Sequence, residues 1–115
     1  MNLCELQDEH VAWKERNFPN DASWSQLLGV AEEVGELCHA HLKSSQGIRG
    51  GEESHLAAKI DAIGDILIFL AGYCNMEGID MQTALDVTWN KVRRRDWTKD
   101  KINGRSKEAN DLHAS

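Results

Sequence analysis

Apolar residues recur every three or four positions along most of this chain, and no stretch alternates with the period of two that a half-buried strand shows. The pattern predicts four helices and no sheet. Residues 2–17 are weakly amphipathic, with Leu3, Leu6 and Val11 inward. Pro19, within NFPND, breaks the chain before the next helical pattern. From Ser23 to Lys43 the periodicity is strong, and Ser23 or Asp21 is placed to cap its start. SSQGIRGGEES, with three glycines, is a loop. Residues 53–75 follow as a long helix, apolar nearly all round and therefore central. NMEGID ends it at Gly78, and Asp80 is the expected N-cap of a last helix through MQTALDVTWNKVRRRDW. The polar remainder, TKDKINGRSKEANDLHAS, is expected to be loose or used between subunits. The expectation is an all-α domain over residues 1–98 and a polar tail over 99–115.

Composition narrows the function classes. A chain of 115 residues makes one domain with a modest core, which favours help from oligomerisation. A net charge of −6 and a pI near 5.3 argue against a nucleic-acid polymer as partner. A small anionic substrate remains compatible if metal ions or local basic groups offset that charge. Cys4, Cys38 and Cys74 are odd in number and widely spaced, which suits reduced thiols packed as small hydrophobes in a reducing compartment. MNLCELQDEH has no apolar signal-peptide core. The longest apolar run, Ile66 to Cys74, is about half of what a membrane span needs. The expected location is cytoplasmic, with no membrane partner.

Against this background the carboxylates stand out. At about 100° per residue, Leu27, Val30, Ala31, Val34, Leu37, Cys38 and Leu42 share one arc of the second helix. Glu33 lies at the arc's edge, Glu36 about 60° further out, and Glu32 beyond it. Asp61 and Asp65, at i,i+4, share a face inside IDAIGDILIFLAGYC. The residues between the two helices allow them to run antiparallel, bringing Glu33, Glu36, Asp61 and Asp65 face to face. A hard divalent cation, Mg²⁺ first, would relieve the repulsion. A structural alternative stays open: Glu32, Glu33 and Glu36 as a solvated helix edge, Asp61 paired with Lys59 or Arg49, and Asp65 with a base of the last helix.

Other chemistry is sparser. His10, His39, His41, His55 and His113 are scattered, and His41 falls in the apolar arc as an expected core residue. Glu36–His39 is an ExxH, but the central helix has none, which counts against a di-iron bundle. A second ExxH, Glu52–His55, sits where the glycine-rich loop gives way to the central helix, an edge at which the spacing is a weak guide to helix geometry. Trp24 and Trp89 are candidates for stacking on a base, with core or interface as the alternative for all four tryptophans. Lys43 shares a face with Glu36, while Lys91, Arg93, Arg94 and Arg95 close the last helix. The loop carrying Arg49 resembles a flexible phosphate-side loop without a P-loop pattern.

AEEVGEL, then DAIGDILIFLAGYCNMEGID, then a helix ending KVRRRDW together resemble the MazG-like all-α nucleoside triphosphate pyrophosphohydrolases, over roughly residues 24–97. The resemblance implies a four-helix MazG-like bundle assembled as a homo-dimer or homo-tetramer. It implies Mg²⁺-dependent cleavage of a (d)NTP to (d)NMP and pyrophosphate, with Mn²⁺ able to substitute, in a role such as nucleotide-pool house-cleaning. Glu32, Glu33 and Glu36 match the family's EExxE, and Asp65 matches the Asp of its ExxD. Ala62 stands where the family usually has Glu, with Asp61 the nearest replacement. On this reading Glu33, Glu36, Asp61 and Asp65 hold metal, Glu32 is the general base, and Lys43, Lys91 and Arg94 hold the outer phosphates. The Ala62 departure favours a rival: a non-catalytic helical metal-binding or regulatory module of the same fold.

Overall fold

A computed structural model describes residues 1–104. It contains four helices, and no strand among the described residues: α1 (Leu3–Asn17), α2 (Ser23–Gln46), α3 (Glu52–Glu77) and α4 (Met81–Val92). The chain divides into two units, Met1–Met81 and a second beginning at Gln82. No helix of the described residues is long and apolar enough to cross a membrane.

Local chemistry sets the helix ends. Asn2 caps α1, its side chain accepting from Glu5 N–H at 2.9 Å. The helix stops at Phe18, directly before Pro19, whose ring disfavours helical backbone in the preceding residue. Neither expected cap starts α2. Ala22 is the N-cap and has no side-chain cap bond, because the Asp21 carboxylate is taken by Gln26 Nε2 at 2.8 Å. At the far end Gly47 (φ 68°) adopts the left-handed conformation, and Ile48 N–H reaches back to the Lys43 carbonyl. Gly78 closes α3 in the same way, with Ile79 N–H on the Cys74 carbonyl.

In the first unit α3 packs against both α2 and α1. Gly72 abuts Gln26, and Gly29 abuts the Phe69 ring. Positions rising along α2 thus meet positions falling along α3, which makes the pair antiparallel. Gln7 fastens α1 to the end of α3. Its Nε2 donates to Asn75 Oδ1 (3.0 Å) and the Ile79 carbonyl (2.8 Å), and its Oε1 accepts from Met81 N–H (2.8 Å). Beside this network lies a small core of Ala71, Cys74 and Met81, flanked by Leu3, Leu6, Leu70 and Tyr73.

The face of α2 turned to α3 is not the apolar arc. Gln26 and Ala40 are buried and Glu33 half-buried, whereas Leu27, Ala31, Val34, Cys38, His41 and Leu42 are exposed. His41 is therefore not a core residue. On α3, Leu56, Ile60, Ile63, Leu67 and Ile68 are exposed as well. Of the thiols, only Cys74 is buried; Cys4 and Cys38 are at the surface rather than packed.

In the second unit α4 ends at Val92, earlier than expected. Arg93, Arg94 and Arg95 continue in turns, with Arg94 N–H on the Lys91 carbonyl and Arg95 N–H on that of Val92. The start of the expected loose tail is a closed loop. Gly104 (φ 66°) lies against the Trp97 ring, and its carbonyl accepts from Asp96 N–H. Residues 105–115, the rest of the expected tail, and His113 with them, lie outside the described residues.

Candidate functional site

Small side chains on both helices create the space between them. Ala40 (4 % exposed) and Ala62 (2 %) floor a cavity of about 390 Å³ between α2 and α3. Glu33, Glu36, Asp61 and Asp65 line it, as the helical arithmetic required. Further along both helices the lining changes sign, to His39, Lys43 and His55, with Arg49 from the connecting loop. The cavity is therefore graded from acidic to basic along the helix axes.

The acidic end is electrostatically loaded. Burial pushes the Glu33 carboxyl above its ordinary range, and the charges of Asp65, Glu32, Glu36 and Asp61 push it the same way. Among the described residues no ion pair takes in a site carboxylate; Lys14–Glu15 and Lys99–Asp96 pair elsewhere. The alternative pairings of Asp61 with Lys59 or Arg49 are not made.

A second cavity, of about 510 Å³, adjoins the first and shares Glu33 and Asp65 with it. Its walls are aromatic: Trp13 and Phe18 meet edge to face at 5.8 Å, His10 leans on Trp13 at 5.5 Å, and Phe69 closes the side of α3. Two polar groups face these rings. Gln26 is held by Asp21, and His10, only 5 % exposed, has an Nε2 with no hydrogen-bond partner among the described residues. Burial, and next the charge of Lys14, lower the His10 pKa, so the ring is neutral at physiological pH.

The predicted residues fare differently. Glu33, Glu36, Asp61, Asp65 and Lys43 come together in the first cavity, although Asp61 is exposed rather than enclosed. Glu32 is exposed and lines neither cavity, but is close enough for its charge to act on Glu33. Lys91 and Arg94 lie in the second unit, where Arg94 donates to Asn90 Oδ1 at 3.3 Å. Trp24 and Trp89 are exposed, and the ring that lines the aromatic cavity is Trp13. Glu52–His55 lies in regular helix after all, with His55 bound to loop carbonyls rather than presented as an ExxH ligand.

Sequence reasoning gave no site role to His10, Gln26, Phe69 or His55. The available signals were weak: a histidine at the inward spacing of Leu3 and Leu6, and one four residues after the glycine pair Gly50–Gly51.

The donor set tests the fit of a metal. Four carboxylates without a thiolate suit a hard cation. Among the described residues no group of three or more His, Cys, Asp or Glu is close enough to form a ready-made cage. Mg²⁺ commonly takes one or two carboxylates and completes its octahedron with water and phosphate oxygens. The donor set is therefore compatible with a hard cation that takes part of its shell from water or a bound ligand, not with a permanently caged ion. Ala62 lines the cavity and is buried, and its neighbour Asp61 lines it from the exposed rim. Comparison with known proteins adds no relative: no family model, no curated protein and no solved structure matches this chain.

Proposed function

We propose that this protein is a Mg²⁺-dependent nucleoside triphosphate pyrophosphohydrolase that cleaves between the α- and β-phosphates to give a nucleoside monophosphate and pyrophosphate. One observation carries the reading. An aromatic cavity and an acid-to-base graded cavity adjoin and share Glu33 and Asp65. A nucleotide has the same two-part chemistry, a flat apolar base and a polyanionic tail, with the bond to be cleaved between them.

In this reading the base enters among Trp13, Phe18 and Phe69, where rings stack on it and exclude water. Neutral His10 and Gln26 supply the polar contacts to its edge. Glu33, Glu36, Asp61 and Asp65 would hold Mg²⁺, or Mn²⁺ in its place. When bound, the ion neutralises phosphate oxygens and acidifies water. Glu32 takes the proton of the attacking water from the rim. Lys43 meets the outer phosphates.

The functional unit is a homo-dimer or homo-tetramer. Trp24, Leu27, Ala31, Val34 and Cys38 on α2, and Leu56, Ile60, Ile63 and Leu67 on α3, form exposed stripes at alternating spacings of three and four. Such stripes are each half of the seam between paired helices. A non-catalytic metal-binding module is the second reading, favoured by Ala62 at the inward position.

The test is pyrophosphate release from a panel of canonical and modified nucleoside triphosphates, with Mg²⁺ and with chelator. Release that needs Mg²⁺ supports the enzyme. Mg²⁺ binding with no release from any triphosphate supports the module.

A further inference from the structure

The loop between α2 and α3 was expected to be flexible, and its backbone is instead held in an unusual shape. Arg49 has φ 60°, the one non-glycine residue in the left-handed region among those described. Gly47 (φ 68°) and Gly50 (φ 122°) take the neighbouring left-handed positions, where glycine carries no penalty. For Arg49 the conformation is costly, and such costs persist only where surroundings enforce them.

The enforcing group is His55. It is buried, and its Nε2 lies 3.0 Å from the Ile48 carbonyl and 3.1 Å from the Gly50 carbonyl. Both partners are acceptors, so Nε2 carries the hydrogen and donates to both. The two carbonyls bracket Arg49. One imidazole thus fixes the residue before Arg49 and the residue after it.

The constraint serves no packing purpose for the Arg49 side chain. That side chain is exposed, lines the basic end of the first cavity, and makes no hydrogen bond or ion pair among the described residues. Lys43, the other cation there, is engaged with Gln46 at 3.0 Å. A strained, pinned and unpartnered guanidinium facing a cavity with carboxylates at its other end is suited to a dianionic group held away from the metal.

We propose that Arg49 binds the terminal phosphate of the substrate, and that His55 is a positioning residue that holds the 47–51 loop so that it can. This rests on the reading of the cavity as a triphosphate site and deepens it: the arginine makes the enzyme select for a third phosphate. Such contacts are realised on binding, so their loss appears mainly in KM.

The test combines turnover with a binding measurement that needs no turnover. Arg49→Ala should raise KM for a nucleoside triphosphate about 10- to 100-fold, with kcat changed less than about threefold. It should weaken calorimetric binding of Mg²⁺-pyrophosphate by a similar factor. Arg49→Gly should lose the same affinity while unfolding at an equal or higher temperature, because the backbone penalty is relieved. His55→Ala should reproduce the KM effect, His55→Gln, which keeps an N–H donor, should restore part of it, and the double variant should be no worse than Arg49→Ala. If wild type turns over triphosphates and Arg49→Ala leaves KM and pyrophosphate affinity unchanged, the inference is wrong and the enzyme reading survives. If wild type turns over no triphosphate, the enzyme reading falls, and Arg49-dependent pyrophosphate binding still decides the anion site. A His55→Ala protein that loses stability but keeps its KM would reduce His55 to a structural strut.

Discussion

Replacing Gly72 by Ala adds one methyl group at the point where all three helices of the first unit meet. The new Cβ would collide with Gln26 Oε1 and stand 2.7 Å from His10 Cε1 and 2.9 Å from Gln26 Cδ. Neither neighbour can retreat freely. Gln26 is 3 % exposed and tied to Asp21 at 2.8 Å, and His10 is 5 % exposed against Trp13. Overpacking of this kind costs about 1–3 kcal/mol, while alanine in a helix interior returns about 1 kcal/mol relative to glycine. The net expectation is a loss of up to about 2 kcal/mol, lowering Tm by up to roughly 15 °C. Gly64→Ala is the internal control. Nothing lies within 4 Å of its Cβ position in the chain, so only the propensity gain of about 0.5–1 kcal/mol should remain. Thermal unfolding of the two variants beside wild type decides the matter. A Gly72→Ala protein stabilised as much as Gly64→Ala would refute the close crossing of α2 and α3 on which both cavities depend. A Gly64→Ala protein that loses stability would show a second copy pressed against that face.

Other consequences concern charge and assembly. Asp65→Asn should unfold at the same or a higher temperature than wild type without metal, since a like charge is removed beside Glu33, and should lose the stabilisation that Mg²⁺ gives wild type; a destabilised variant with an Mg²⁺-insensitive wild type would contradict the metal site. Because the folded Glu33 pKa lies above its ordinary 4.5, the folded state holds that proton more tightly, so metal-free stability should decline as pH rises from 4.5 through the raised value. Glu33→Gln should flatten that part of a urea-unfolding series against pH. Glu32→Gln should retain Mg²⁺ binding and lose about 10²- to 10⁴-fold in kcat if Glu32 is the base; an unaffected kcat with Mg²⁺ binding retained would remove that role from Glu32. If the proposed oligomer forms, Leu27→Glu, on the exposed stripe of α2, should convert it to 12.9 kDa monomers in sedimentation, whereas a chain that is monomeric to begin with should tolerate it within about 0.5 kcal/mol.

Much of this was legible in the sequence, for identifiable reasons. Periodicity and glycine punctuation located α1, α2 and α3 to within three residues, because helix ends are set by local groups such as Gly47 and Gly78. Acidic residues inside an apolar run led to the cavity, since such a pattern is costly unless it has a use. The face of α2 was not legible. Leu27, Val34 and Leu42 promised the side toward α3, yet Gln26, Glu33 and Ala40 occupy it. Hydrophobicity reports which face avoids water in the final assembly, not which neighbour in the same chain it meets. The burial of His10 and the bonds of His55 depend on Gly72 and on two loop carbonyls, contacts that no local pattern encodes. The early end of α4 and the closed loop at Gly104 were hidden for the same reason.

The central claim is the bond that is broken, and non-hydrolysable analogues test it most directly. With Mg²⁺, the protein should convert a β,γ-methylene nucleoside triphosphate to nucleoside monophosphate and leave the α,β-methylene analogue intact. Release of orthophosphate from the α,β-methylene compound, with the β,γ-methylene compound untouched, would contradict the account.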